Sequence, residues 1–350
     1  MSAQAQLRVG VIGLGMGRHH CTAFAAHPNS NVVAVADLDA ERLGRVGDEF
    51  GIEARYASYE EMLKKESLDI VGIATPTFLH RPMTLAALEA GCHAFCEKPM
   101  AMNADDARVM RDAANTAGKR IMIDFSFRFT EVSQALHAEV EKGVLGDIYY
   151  GRSIWLRRNG IPGFGGWFGQ KDKSGGGPLI DLGVHRLDFA LWLMGYPEPE
   201  WVVGATYDHL ASKRAAAAGE RYDVEDIAVA MIRFKNGATL EIEASWEGHI
   251  QERELMETRL LGTEGGLLQK NIDGGYAWEN EFYFEKDGEL IDFTPDISED
   301  TGISGPAHFV DAIINDEPHT ATGDEGLICM QILDAIYQSA ESNRPVMLDG

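Results

Sequence analysis

The chain has few cysteines, no long apolar run and a shortage of positive charge, and each shortage closes off a class of protein. Its four cysteines, Cys21, Cys92, Cys96 and Cys329, fall inside predicted strands and helices without metal-ligand spacing. They read as core thiols in a reducing cytoplasm, with no disulfide framework and no bound metal. No apolar stretch approaches the roughly 20 residues that span a bilayer. The opening MSAQAQLRVGVIGLGMG also lacks the charged-then-apolar plan of a signal peptide, so a cytoplasmic protein is expected. Lys and Arg number 31 against 55 Asp and Glu, a formal charge of −24. That balance argues against nucleic acid and anionic membranes as partners, because their phosphates would be repelled. Internal repeats are missing too, and the one low-complexity tract, KRAAAAGE at 213–220, reads as a surface loop.

What is present is ample apolar sequence, 45% over 350 residues, enough for two domains and too much for a disordered chain. The rhythm changes near residue 125. Before it, LRVGVIG, NVVAVADLD, LDIVGIATP, CHAFCEKP and KRIMIDF are separated by amphipathic helical segments. Alternating strands and helices predict a parallel, doubly wound sheet over 1–125. After it, IYYGRSIWLR, EWVVGATYDHL, DIAVAMIRF, ATLEIEASWEG and ETRLLGTEGG follow one another, with hairpin signals at Asn236-Gly237 and Asp287-Gly288. The region 126–350 is therefore expected to be an α/β domain with a large, mostly antiparallel open sheet. Two helical patterns, PAHFVDAIIND and EGLICMQILDAIYQSA, close the chain.

The first chemical motif is GLGMG: Gly13, Leu14, Gly15, Met16 and Gly17, directly after a strand and opening a helix. Glycines let the backbone approach a pyrophosphate, which the helix N-terminus then holds through its free N–H groups. The third glycine comes one residue early, with Arg18 in the expected place. Asp37 ends the second strand about 20 residues on, where a carboxylate accepts hydrogen bonds from a ribose and repels a 2′-phosphate. NAD is the expected cofactor, in preference to NADP. Thr75, Pro76 and His80 in IATPTFLH, and Glu97, Lys98 and Pro99 in FCEKPM, lie at the carboxyl ends of predicted strands. Open α/β sheets bind their ligands there.

The second motif is the helix in GGGPLIDLGVHRLDFALWLMG, residues 175–195. Its second half is almost wholly apolar and reads as buried, yet Asp181, His185 and Asp188 recur at offsets of four and three, which stacks them on one face. Unpaired polar burial costs on the order of 1–3 kcal/mol per group, so three such groups on one face call for a common partner. The preceding stretch 158–177 mixes glycines, aromatics and lysines, and its Phe164 and Trp167 suit the C–H face of a sugar ring. Arg128, Arg157 and Arg158 are candidate contacts for a substrate hydroxyl or carboxylate.

GLGMGRHH, ATPTFLH, AGCHAFCEKPMA, PLIDLGVH and the closing GDEGLICMQILDAIYQSAESNRPVML resemble the signature blocks of the Gfo/Idh/MocA oxidoreductases, across nearly the whole chain. The resemblance implies a Rossmann domain over 1–125 and a substrate and oligomerisation domain over 126–350. It also implies a closing helix packed back on the first domain. By position, Lys98 matches the lysine that touches the reacting hydroxyl, His185 the catalytic histidine and Asp181 its companion carboxylate. Gly13 to Gly17, Asp37, Thr75, Pro76, His80, Glu97 and Lys98 are the cofactor-binding candidates. Lys98, Arg128, Arg157, Trp167, Asp181 and His185 are the substrate candidates. The implied activity moves a hydride between a secondary alcohol of a sugar, glycoside or cyclitol and nicotinamide, in a homodimer or homotetramer.

The chemistry suits those residue types. An alcohol gives up hydride readily only as it loses its proton, so a base within about 2.6–3.2 Å of the hydroxyl is needed. Neutral imidazole serves near pH 7, a carboxylate orients it, and an ammonium stabilises the developing alkoxide. Two alternatives are kept: an NAD-dependent glycosidase working by transient oxidation and elimination, and a non-catalytic protein that binds NAD and sugar.

Overall fold

The computed structural model describes residues 6–297 and 303–348. The chain forms two compact units, residues 1–125 with 303–330, and residues 126–302 with 331–350.

In the first unit, β1 (Leu7–Ile12), β2 (Ser30–Ala36), β3 (Ala54–Tyr56), β4 (Ile70–Ile73), β5 (His93–Cys96) and β6 (Ile121–Ile123) build one sheet. The strands are β-branched and apolar because both faces are covered; every residue of β4 and β6 is buried. Between them run α1 (Gly17–Ala26), α2 (Ala40–Phe50), α3 (Tyr59–Lys65), α4 (His80–Glu89) and α5 (Ala104–Ala117). Strand order is β3-β2-β1-β4-β5-β6 with all pairs parallel, the doubly wound dinucleotide-binding order. Side chains at Asp39, Ser58 and Asn103 cap α2, α3 and α5, whereas α1 has no side-chain cap. At the start of α1 backbone carbonyls take this place: the Gly17 N–H donates to Gly13 at 3.1 Å and the His19 N–H to Met16 at 2.8 Å.

The second unit opens with α6 (Glu131–Glu141), β7 (Ile148–Arg157) and the short α7 (Lys171–Ser174). A π-helical turn, Leu179–Gly183, leads directly into α8 (Val184–Leu193). Then come β8 (Pro199–Tyr207), α9 (Ala211–Ala218), β9 (Ile227–Phe234), β10 (Thr239–Ser245) and β11 (Glu254–Gly262). β12 (Gly266–Asn271), β13 (Trp278–Lys286) and β14 (Glu289–Phe293) follow as hairpins. The chain returns to the first unit for α10 (Gly305–Asn315) and the start of α11 (Gly323–Ser342), and ends with β15 (Val346–Met347). In the first unit His27 pairs with Asp311 at 3.1 Å, and Arg120 bonds the Ala312 carbonyl at 2.7 Å, which fastens α10 there.

The nine-stranded order is β14-β13-β12-β11-β7-β10-β9-β8-β15, with β7 and β10 the parallel pair and the others antiparallel. One face carries α8: the Ser153 hydroxyl donates to the Arg186 carbonyl at 2.9 Å. Side chains alternate along a strand, so Arg152 and Glu243 lie on the opposite face, paired at 2.7 Å.

Two expectations are corrected. KRAAAAGE is not a loop: its alanines belong to α9, because alanine has the highest helix propensity and Ala211 and Ala215, one turn apart, are both buried. ETRLLGTEGG is strand only in part: Glu257–Gly262 completes β11, 263–265 turn, and Gly266 opens β12, which pairs antiparallel from Glu257↔Lys270 to Leu261↔Gly266.

Candidate active site

Gly13 has φ +83°, and a Cβ there would lie 2.7 Å from the Ala74 carbonyl oxygen, so the turn after β1 requires glycine. Around Gly15 the space is open, with nothing within 4 Å of a built Cβ. Gly17 packs α1 against β1: its Cβ would lie 2.9 Å from Val11 Cγ1. The early third glycine thus supplies the close helix–strand packing of the usual fingerprint. Arg18 turns away to Glu49 on α2, with Nε 2.8 Å from Oε2.

Asp37 buttresses this turn. Its Oδ2 accepts the Leu14 N–H at 2.7 Å and its Oδ1 the Asp39 N–H at 2.8 Å. Arg42 reaches both Asp37 and Asp39 at 3.2 Å, so two carboxylates outweigh one cation where a 2′-phosphate would demand the reverse. A bare glycine turn, a helix start with no side-chain cap and a net negative strand end fit NAD. Gly13→Ala is expected to weaken NAD binding about tenfold or more, since left-handed strain in a non-glycine costs on the order of 1–3 kcal/mol and relieving it moves the turn. Calorimetric titration with NAD checks this; an unchanged affinity would refute the role.

The other cofactor candidates gather at neighbouring strand ends. His80 is buried, with its ring nitrogens 2.8 Å from the Thr75 and Pro99 carbonyl oxygens, and so ties the turn after β4 to the one after β5. Burial pulls its proton affinity down, while both carbonyls favour the protonated ring. Thr75 Oγ1 contacts Met83 Sδ at 3.5 Å, and Pro76 opens the turn Thr77–Leu79. Glu97 accepts the Lys98 N–H at 3.2 Å.

In the second unit, Asp181 sits on the π turn and His185 in the first turn of α8, so the offset of four crosses a junction of helix types. The start of this helix is held by Glu225, whose oxygens accept the Gly177 and Leu179 N–H groups at 2.9 and 3.1 Å and the Tyr337 hydroxyl at 2.9 Å. A Cβ at Gly177 would lie 2.2 Å from the Glu225 carbonyl oxygen, which explains the glycines before the motif. Burial pushes the Glu225 carboxyl up, against these hydrogen bonds.

Trp246 is fully buried and donates from Nε1 to Asp181 Oδ2 at 3.0 Å. His185 is 9% exposed, with the Phe127 ring at 5.2 Å and Trp155 at 5.8 Å. Phe127 in turn meets Trp278 at 6.1 Å. An imidazole and a carboxylate are thus bordered by aromatic rings, a setting suited to a ring with apolar C–H faces and polar edges. Of these rings, Phe127, Trp155, Trp246 and Trp278 were not singled out in the sequence. Trp155 and Trp246 lay inside predicted strands, whose alternation assigns a face but not what shares it.

Trp167 stacks on Phe168 at 3.9 Å, and Phe168 meets Trp246 edge-on at 6.2 Å, which joins the 158–177 stretch to the ring that binds Asp181. Arg157 Nε donates to Glu254 at 2.7 Å, its guanidinium over Trp155 at 5.4 Å. Arg158 is exposed and donates to the Gln251 carbonyl at 3.2 Å. Arg128 lies in the interior. It is fully buried and forms a two-point pair with Asp188, Nε–Oδ2 at 2.9 Å and Nη2–Oδ1 at 2.5 Å, with Tyr196 on both. The pair accounts for Asp188.

A dinucleotide fold followed by a domain that carries a helical acid and base defines a nicotinamide-dependent oxidoreductase. A family model described as "Oxidoreductase family, NAD-binding Rossmann fold" matches residues 7–125, and its companion, "Oxidoreductase family, C-terminal alpha/beta domain", matches 138–348. The chain belongs to this Gfo/Idh/MocA family. It is 32% identical to D-glucoside 3-dehydrogenase of Escherichia coli (strain K12) over 351 residues, 98% of this chain and 97% of that one. A levoglucosan dehydrogenase solved with NADH superposes with TM-score 0.86 at 25% identity, covering 98% of this chain and 99% of that one. The aldose-aldose oxidoreductase of Caulobacter crescentus gives 0.82 at 27% identity, covering 98% and 100%. All four cysteines are free and buried, and no helix among the described residues is long and apolar enough to cross a membrane.

Proposed function

We propose that the protein is an NAD-dependent dehydrogenase that oxidises a secondary alcohol of a sugar, glycoside or cyclitol. The observation that carries the reading is His185 and Asp181 among Phe127, Trp155 and Trp246. The relatives' action on D-glucosides, levoglucosan and aldoses supports the substrate class.

Gly13, Leu14, Gly15, Met16 and Gly17 hold the pyrophosphate of NAD with the start of α1, and Asp37 takes the ribose. Thr75, Pro76, His80, Glu97 and Lys98 frame the rest of the cofactor. When bound, NAD supplies the nicotinamide carbon that accepts hydride. His185 removes the hydroxyl proton as the hydride leaves. Asp181, oriented by the Trp246 N–H, keeps the imidazole in a productive orientation and stabilises the imidazolium that forms. The Lys98 ammonium stabilises the alkoxide charge. Trp167 and Arg157 contact the substrate away from the reacting carbon. Self-association into a homodimer or homotetramer uses the sheet face opposite α8. There Val203, Ala205, Val229 and Met231 line a shallow depression of about 380 Å³.

The test is incubation of the protein and NAD with methyl and aryl D-glucosides, levoglucosan and myo-inositol, following NADH and free aglycone together. Net NADH with at least one of them is the expected result. Aglycone release without net NADH would replace this reading by the NAD-dependent glycosidase, and binding without either product by the non-catalytic protein that binds NAD and sugar.

A further inference from the structure

His20 lies one turn past the glycine motif and is 2% exposed. Its Nε2 is 3.2 Å from Glu97 Oε1 and 3.4 Å from Asp124 Oδ2. These three groups come from α1, the end of β5 and the end of β6, so the parallel topology alone brings them to one edge of the sheet. Glycine at Gly72 on β4 leaves room for the ring, since a Cβ there would lie 3.3 Å from His20 Nδ1. Phe95 closes the site edge-on at 5.0 Å.

Two buried carboxylates this close are not both ionised unless a cation lies between them. Burial alone disfavours a charged His20 ring, but its hydrogen bonds to the Asp124 and Glu97 carboxylates, with their charges, outweigh it and hold the group up at about 9. Burial pushes Asp124 up. It pushes Glu97 up as well, but the His20 hydrogen bond, with the charges of His20 and Lys98, brings Glu97 below the ordinary range. His80 also acts on Glu97, and the neighbouring Cys96 thiol is kept neutral by burial.

The consequence runs through the second oxygen of Glu97. With Oε1 held by His20, Oε2 accepts the backbone N–H of Lys98 at 3.2 Å. We propose that His20 is a positioning residue for Lys98: its protonated ring, with the Nε2–H between Glu97 and Asp124, fixes the strand-end turn that presents the Lys98 ammonium. When the ring loses its charge the Nε2–H remains but the repulsion of the two carboxylates is no longer offset, Glu97 releases the Lys98 N–H, and the turn loosens. The inference rests on Lys98 acting in the reaction.

The test uses full-length protein with NAD and methyl D-glucoside as the probe. His20→Leu is expected to lower kcat by about 10–100-fold, the usual range for a supporting hydrogen-bond partner, while NAD affinity stays within about threefold. His20→Gln, which keeps an N–H donor without the charge, has at every pH the lowered rate that wild type reaches above about 9, and shows no fall through that pH. In a Lys98→Met background, His20→Leu adds no further loss, because the two act as one unit. Ring ¹⁵N spectra are expected to show His20 protonated at pH 7. The folded ring titrates at about 9 against 6.5 for the ordinary value. Its contribution to stability is therefore complete below the ordinary value and lost as pH rises through the folded one. A folded His20→Leu protein with wild-type kcat, additive losses in the double variant, or a neutral His20 ring at pH 7 would each overturn the proposal. Should His20→Leu fail to fold, the His20→Gln profile and the ring spectrum still decide. Full activity in Lys98→Met alone overturns the reading of Lys98 and leaves the proton bridge to the ring spectrum.

Discussion

His185→Ala is expected to lower kcat by about 10²–10⁴-fold while NAD still binds. The magnitude is that of general base catalysis, and the selectivity follows from where the parts lie in the chain. The glycine turn, Asp37 and the strand ends that suit the cofactor belong to the first unit, and His185 to the second. Removing the imidazole also opens space against Phe127 and Trp155, so the variant should be shown to be folded before its rate is read. Asp181→Asn should give a smaller loss, because it alters the carboxylate that accepts from Trp246 and leaves the base itself in place. Calorimetry with NAD and turnover with a glucoside together check the pattern. Turnover within about threefold of wild type in a folded His185→Ala protein would remove it as the base, because general base catalysis is worth far more.

Breaking the Arg128–Asp188 pair is expected to cost about 3–5 kcal/mol of stability, the range for removing one partner of a buried ion pair. Both side chains are at most 1% exposed, and their two-point geometry includes the Tyr196 hydroxyl, so an orphaned partner has no water to turn to. Arg128→Met strands the Asp188 carboxylate, and Asp188→Leu strands the guanidinium. The double variant should recover part of the loss, since a pair of apolar groups carries no desolvation penalty. Denaturant unfolding measures all three. A loss under about 1 kcal/mol for either single variant would mean that the pair is not the closed contact described, because exposed pairs contribute on that scale.

The fates of the arginines and aromatics show how far the sequence could be read. The strand and helix alternation before residue 125 is legible because period and turn chemistry are local, and it gives the parallel sheet but not the three-residue β3, Ala54–Tyr56, which is too short to show a period. GLGMG looked one residue short, yet Gly17 packs against Val11, a role visible only once the distance between helix and strand is known. Asp188 and Arg128 are 60 positions apart, and no local pattern says that they meet. The same holds for Trp246 and Asp181, 65 apart, and for His20 and Glu97, 77 apart. KRAAAAGE was misread because its low-complexity composition suggested a surface loop, although an alanine run is intrinsically helical. The Asp181 and His185 spacing was legible, but the π turn beneath Asp181 was not, since it depends on Glu225 gripping Gly177 and Leu179 from another segment.

The central claim is that a sugar carbon gives its hydrogen to NAD. It is tested most directly by incubating the protein and NAD with methyl D-glucoside deuterated at every ring carbon, then examining the recovered NADH by mass spectrometry. One deuterium per NADH, with slower turnover than for the unlabelled sugar, is the predicted result. Unlabelled NADH, or a consumed glucoside with no reduced cofactor, would contradict the account.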